Sequence, residues 1–343
     1  MTAEPSGRGL SRRRLLQQTA QLGALALLGG CDVASRVAPT TPKISRVARV
    51  GILGDSTNQQ NYDAFREALR GLGWVEGQNI TFERRYAEGD NAKLPSLATE
   101  LLGLSVDVIA TGHAPSARAA QQATRTIPIV IAGVAEPVSL GLAESLAYPG
   151  GNITGLARLP AQLAAKRLEL LKEVLPGLAR FAALWDLSPG AELQINATEA
   201  AAPGLGLEVQ VLAVKSVDDF EAAVAAASSG RAEALTLHGP LFGTNAARSR
   251  RIADLAVRAR LPSMAIERQY VEAGVLMSYG ENLVESWRRA ANYTDKILRG
   301  ANPAELPIEL STAFELVINV TTAQALGLSI PPSVASRVSA WIR

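Results

Sequence analysis

His113 and His238 are the chain's only two histidines, and each follows a short β-rich run at the same point of a repeating pattern. Imidazole titrates near neutrality and can give or take a hydrogen bond, so two such rings approaching one ligand from opposite sides would suit recognition of a polar solute. Ser56, Thr57 and Ser116 lie close to expected helix starts, where free backbone N–H groups favour a carboxylate or another anion. Val134, Glu136 and Asp186 fall in loops that follow strands, and Trp185, Phe242 and Tyr279 are placed to cover an apolar ligand face. Each residue also has a plainer role open to it: the serines as helix caps, Asp55 and Asp186 as cap and turn residues, Trp185 as core. Chemistry that transforms a substrate finds less support. GxGxxG, Walker, HExxH and GxSxG patterns are missing, and nothing pairs a nucleophile with a base at diagnostic spacing. Two histidines and one cysteine make a zinc site of the usual ligands unexpected. No cofactor and no enzymatic activity are expected.

The scaffold that would position these residues alternates short β-rich runs with helical stretches, the pattern of βαβ units and a parallel sheet. Strands are expected at 47–53, 79–85, 106–111 and 128–132, with helices at 61–72, 93–104, 115–123 and 138–147. The order returns with strands at 180–185, 207–214, 232–237 and 262–266, and helices at 191–201, 217–227 and 246–260. Loops correspond as well: ILGDS (52–56) with ALWDLS (183–188), and IATGHAP (109–115) with LTLHGP (235–240). The expected fold class is therefore α/β, two Rossmann-like doubly wound lobes joined by a three-crossing hinge near 149–157, 274–282 and 306–312. Lobe 1 would comprise 47–156 plus 283–311, a stretch that opens with a helix at 284–299, and lobe 2 would comprise 157–282 plus 312–343. In open α/β sheets ligands sit beyond the carboxyl ends of the strands. The cleft lining is thus expected from residues 55–58, 112–116, 133–137, 186–188, 238–242, 267–269 and 278–280.

The start of the chain carries a different chemistry. Residues 11–31, SRRRLLQQTAQLGALALLGGC, run from a basic flank through a short apolar stretch to the chain's one cysteine. The stretch is shorter than the about 20 apolar residues that span a bilayer and fits a secretory signal peptide. Arg12 and Arg13 resemble a twin-arginine export motif. LGGC (28–31) resembles a lipobox, which would make the Cys31 thiol a lipid attachment point; a free thiol in an ordinary leader is the alternative. Residues 32–46 contain Pro39 and Pro42 and read as a tether. Residues 1–30 hold four arginines and one glutamate, leaving 30 basic against 31 acidic residues in the rest. That balance gives no reason to expect nucleic acid as a partner.

Long segments resemble a known family: residues 71–112 (GLGWVEGQNITFERRYAEGDNAKLPSLATELLGLSVDVIATG), 126–156 (TIPIVIAGVAEPVSLGLAESLAYPGGNITGL), 166–178 (KRLELLKEVLPGL), 271–283 (VEAGVLMSYGENL) and 314–334 (FELVINVTTAQALGLSIPPSV). They are similar to bacterial ABC transporter substrate-binding proteins of the tryptophan/tyrosine-binding (TrpX-like) family, over essentially residues 47–335. The resemblance implies a type I periplasmic-binding-protein fold and a receptor that captures a small solute outside the cytoplasmic membrane; with the lipobox at Cys31 the expected location is lipid-anchored on the periplasmic or extracytoplasmic face of that membrane. Such a receptor hands a small solute, in some members an aromatic amino acid, to an ABC permease. The chain departs from the family's pattern at Leu184-Trp185-Asp186-Leu187 and at His238-Gly239-Pro240, where relatives often carry an acid able to meet a ligand amine; Asp186 and Glu136 are the candidate substitutes. A sensory module for a membrane signalling partner and a secreted enzyme are the alternatives.

Overall fold

The computed structural model describes residues 46–55, 58–243 and 245–343. Arg12, Arg13, Cys31, Ser56 and Thr57 lie outside the described residues.

Two sheets organise the chain from residue 46 onward. The first is built from β1 (Ala48–Gly54), β2 (Ile80–Tyr86), β3 (Val108–Thr111), β4 (Ile129–Ala135), β5 (Ile153–Arg158) and the short β11 (Glu309–Leu310), in the order β11-β5-β4-β3-β1-β2. Every pairing is parallel. The strands read as apolar runs rather than alternations because helices cover both faces; six of the seven β4 residues are buried. The second sheet contains β6 (Arg180–Trp185), β7 (Glu208–Ala213), β8 (Leu235–His238), β9 (Ser263–Ala265), β10 (Met277–Glu281), β12 (Phe314–Asn319) and β13 (Ala340–Ile342). Its order is β13-β12-β10-β9-β8-β6-β7, with only the β10–β12 pair antiparallel. Both sheets are doubly wound, and each reverses its strand order at one place: between β1 and β3 in the first, between β6 and β8 in the second. Such switch points are where open α/β sheets leave a crevice.

The chain passes between the sheets three times: after Arg158, after Glu281, and between Leu310 and Phe314. These straps are tied to one another. Arg167, 3% exposed, donates from Nε to Tyr279 O at 2.7 Å and from Nη1 to Pro160 O at 2.8 Å. Its burial lowers the guanidinium pKa to about 10. Glu281 Oε1 accepts from Leu159 N at 3.2 Å. Asn282 N donates to Ala313 O at 2.8 Å, and Ser286 Oγ meets Ser311 Oγ at 3.2 Å.

The late helix Leu283–Leu298 belongs to the first lobe, although it follows most of the second in sequence. Its buried face, Ser286, Trp287, Ala290, Ala291, Tyr293, Thr294 and Ile297, recurs at helical spacing. It packs on α1 (Gln59–Gly71), whose Phe65 meets Trp287 edge-on with ring centroids 5.6 Å apart. Burying a side chain of that size contributes roughly 2–3 kcal/mol. Trp74 Nε1 fastens the same helix by donating to Asp295 Oδ1 at 2.8 Å.

The helix expected at 138–147 does not form. Pro137 opens a single turn, in which Leu140 N donates to Glu136 O and Leu142 N to Pro137 O. Gly141 then enters the left-handed region at φ 67° and ends it.

Candidate functional site

The two switch points face one another. At the first, β1 delivers Asp55, and the end of β3 delivers His113 at the N-cap of α2 (Ala114–Ala123). His113 Nδ1 lies 3.2 Å from Asp55 Oδ1. Burial works to push this imidazole down, but the Asp55 carboxylate, with Glu267 behind it, outweighs burial and raises its pKa above the ordinary value. At the second, Asp186 Oδ1 accepts from Ser188 N at 3.1 Å and Ser188 Oγ at 2.6 Å, while its Oδ2 accepts from Leu241 N at 2.7 Å. Gly239 sits against that carboxylate at φ 108°, and a Cβ there would meet Asp186 Oδ1 at 2.1 Å, so only glycine fits. Tyr270 Oη donates to Gly239 O at 2.9 Å and fixes the loop.

Arg158, the last residue of β5, joins the lobes. Its Nε donates to Gly133 O at 2.8 Å within the first lobe, and its Nη2 pairs with Glu267 Oε1 of the second at 2.6 Å. Both side chains are almost fully buried, 5% and 6% exposed. Burial alone would lower the guanidinium pKa, but the Glu267 and Glu281 carboxylates raise it, so the arginine stays charged. Glu267 Oε2 also accepts from Gln269 Nε2 at 3.0 Å. Opposite, Gln194 on α3 (Pro189–Ala201) donates from Nε2 to Gly190 O at 3.1 Å.

These groups enclose a cavity of about 310 Å³, within the usual size of small-molecule sites. Its apolar wall includes Pro115, Leu140, Leu142, Ile266 and Tyr270. The 136–142 turn that supplies the leucines is held in place by Arg118 Nη2 donating to Leu140 O and by Gln121 Nε2 donating to Leu142 O at 3.1 Å. Three polar atoms on the lining residues are buried without a hydrogen-bond partner: His113 Nε2, Arg158 Nη1 and Gln194 Oε1. A buried polar atom left unpaired costs about 1–3 kcal/mol. Among the described residues no cluster of three or more His, Cys, Asp or Glu side chains could hold a metal ion, and no helix is long and apolar enough to cross a membrane.

Of the individually expected residues that are described, His113 is brought to this cavity and the others are directed elsewhere. Ser116 Oγ donates to His113 O at 3.0 Å and contacts Thr111 Oγ1, which commits it to the helix start. Val134 is fully buried in the core of the first lobe, and Glu136 sits beside the crossings, where burial raises its pKa. Asp186 is spent on the loop bonds described above. Trp185 packs against the second lobe's core, Phe242 stacks on Phe220 with centroids 5.4 Å apart, and Tyr279 stacks on Phe314 at 6.2 Å. His238 is 3% exposed, with Nε2 2.9 Å from Thr236 Oγ1, and burial lowers its pKa to about 3, so the ring is neutral. Of the two histidines, His113 alone lines this cavity. The expected loops still reach the cavity through Pro115, Ser188, Gly239, Pro240, Glu267 and Gln269.

The lining residues that the sequence did not single out include Arg118, Leu140, Leu142, Arg158, Gln194 and Tyr270. A signal existed for Arg158: a charged residue closes the otherwise uncharged strand ITGLAR (153–158), and such a residue needs a partner or a ligand. Gln194 had a weaker one, lying one turn into a proline-opened helix that follows a switch-point strand.

Residues 46–340 match the model of a family described as ABC transporter substrate binding protein. The chain is 26% identical over 265 residues to a tyrosine-binding protein of Clostridioides difficile (strain R20291), with 77% of this chain and 75% of that one covered. Among solved structures it is similar to an ABC domain in complex with L-Trp from Streptococcus pneumonia (TM-score 0.77, 24% identity, 86% of this chain and 100% of that one). A conserved domain protein from Vibrio cholerae O1 biovar eltor str. N16961 matches over the same shares with a TM-score of 0.76 and 27% identity.

Proposed function

The chain belongs to the family of ABC transporter substrate binding proteins, and on that premise we propose that the 310 Å³ cavity between the lobes is where it captures its solute for delivery to the permease. Like its family, it is the extracytoplasmic substrate-binding receptor of an ABC transporter. One observation supports the assignment of the site: His113, Arg158 and Gln194, contributed by both lobes, line a single cavity with an apolar wall at the two switch points, and each carries one buried polar atom without a hydrogen-bond partner. Solute capture would close the lobes about the three crossings, and the closed form is what the permease would read. The relative that binds tyrosine and the structure holding L-Trp make aromatic acids the natural place to begin.

The test is a thermal-shift and calorimetric screen of amino acids, small carboxylates and neutral aromatic compounds. A 1:1 complex with one solute and no turnover supports the reading, provided that Arg158→Met weakens it at least tenfold. A solute whose affinity ignores changes at Arg158, His113 and Gln194 refutes the site, and formation of product refutes the receptor reading.

The export and anchoring of the chain are read from its leader. Arg12 and Arg13 direct twin-arginine export, and acylation of the Cys31 thiol holds the receptor at the membrane. Two or three acyl chains at about 0.8 kcal/mol per buried CH₂ give durable attachment. Cys31→Ser is expected to release the protein to the soluble fraction in cell fractionation; a variant that stays membrane-bound and fully processed refutes the anchor.

A further inference from the structure

Every carboxylate at the cavity is already committed. Asp55 faces His113 Nδ1. Glu267 Oε1 is held by Arg158 Nη2 and its Oε2 by Gln269 Nε2. Beyond the lining, Asp186 uses both oxygens on the loop bonds to Ser188 and Leu241, and Glu281 Oε1 accepts from Leu159 N among the crossings, its charge acting on Arg158. What remains unsatisfied are one cationic donor, Arg158 Nη1, one imidazole nitrogen, His113 Nε2, and one neutral acceptor, Gln194 Oε1.

From this distribution we infer that the solute is a small monocarboxylate with an apolar body and no α-ammonium group, its carboxylate received by Arg158 and His113 and a hydroxyl or N–H on its body received by Gln194. The inference rests on the reading of this cavity as the solute site and sharpens it. Charge makes the argument. Apart from the neutral Tyr270, the ionisable residues of the lining are Asp55 and Glu267 against Arg118, Arg158 and His113, so with the imidazole protonated one positive charge is in excess, and a monoanion cancels it. A zwitterionic amino acid brings that anion together with an ammonium, which would have to shed its water in a cavity whose carboxylates are both taken. A buried ammonium without an anionic partner is among the costliest groups to place in a protein, and one neutral amide oxygen does not offset it. The raised pKa of His113 agrees with this assignment, since it favours the form that donates from both ring nitrogens.

Isothermal titration of the purified full chain with matched pairs tests the inference: 3-phenylpropionate with L-phenylalanine, indole-3-propionate with L-tryptophan, 4-methylvalerate with L-leucine, and the amide of each acid. In every pair of which either member binds, the plain acid is expected to bind at least tenfold more tightly than the amino acid, and the amide to lose at least tenfold. Gln194→Glu, which places an acid on the wall, is expected to shift the ratio at least tenfold towards the amino acid; a loss of packing would weaken both members alike. An amino acid that binds as tightly as its deaminated partner, or a solute from the wider screen that carries an ammonium, overturns the inference and leaves the cavity assignment standing. A solute whose affinity is untouched by changes at Arg158, His113 and Gln194 overturns both.

Discussion

Replacing Arg158 by methionine tests the link between the lobes and the link to the solute together. The substitution keeps most of the side chain's volume and removes its charge. It leaves Glu267, 6% exposed, without its 2.6 Å partner and takes the Nε donor from Gly133 O. Removing one member of a buried ion pair costs about 3–5 kcal/mol because the other charge stays buried. Gln269 Nε2 still donates to Glu267 at 3.0 Å, which places the expected loss at the lower end, about 3 kcal/mol. Adding Glu267→Gln removes the stranded charge, so the double variant should regain all but about 1 kcal/mol of it. Solute affinity should behave differently. A hydrogen bond from a charged donor contributes about 1.5–3 kcal/mol, roughly 10- to 150-fold in Kd. That loss should persist in the double variant, because Nη1 is still missing. Urea unfolding at pH 7 and calorimetry with the best solute measure the two quantities separately. A single variant that unfolds at the wild-type urea concentration refutes the energetic role of the pair. A double variant that recovers full solute affinity refutes the role of Nη1.

Two further predictions concern pH. Because the folded pKa of His113 is raised, with Asp55, Glu267 and Arg158 as its charged neighbours, solute affinity should hold through the ordinary imidazole range and fall as pH rises through the folded value. His113→Gln should abolish that fall; a pH profile unchanged by the substitution counts against His113 as a solute contact. His238 has the opposite sign: its pKa lies at about 3 in the fold against about 6.5 in the unfolded chain. The stability tied to its neutral form is complete above the unfolded value and is lost as pH falls from there towards the folded one. Urea midpoints at pH 7 and pH 4.5 should therefore converge in His238→Gln relative to the parent, and an unchanged gap would refute the assignment.

The scaffold was legible because its code is local. Apolar runs such as IVIAGVA (129–135) and the return of the same βα order in the second half specify the strands, and their carboxyl ends specify the loops that reach the cavity. Residues 138–147 misled because their apolar spacing suits a helix, whereas Pro137 and Gly141 allow one turn. The direction of side chains was not local. Trp185, Phe242 and Tyr279 stand beside cavity loops in sequence, yet they pack against the second lobe's core, Phe220 and Phe314 respectively. Arg158 and Glu267 are separated by more than a hundred positions, one ending a strand of the first sheet and the other following a strand of the second, so their pairing is a property of the tertiary fold and of no segment within it.

The lateral bonds among the three straps limit how this receptor can move. Arg167 fastens the first strap to the second, and Asn282 and Ser286 fasten the second to the third. Bound edge to edge, the straps flex as a single plate, the way a door leaf turns on a continuous piano hinge. Shear of one half past the other would have to break several of those bonds at once. Under the proposed function the jaws would then possess essentially one angular coordinate, and a permease that sensed this angle at the rim would tell a loaded receptor from an empty one without touching the cargo.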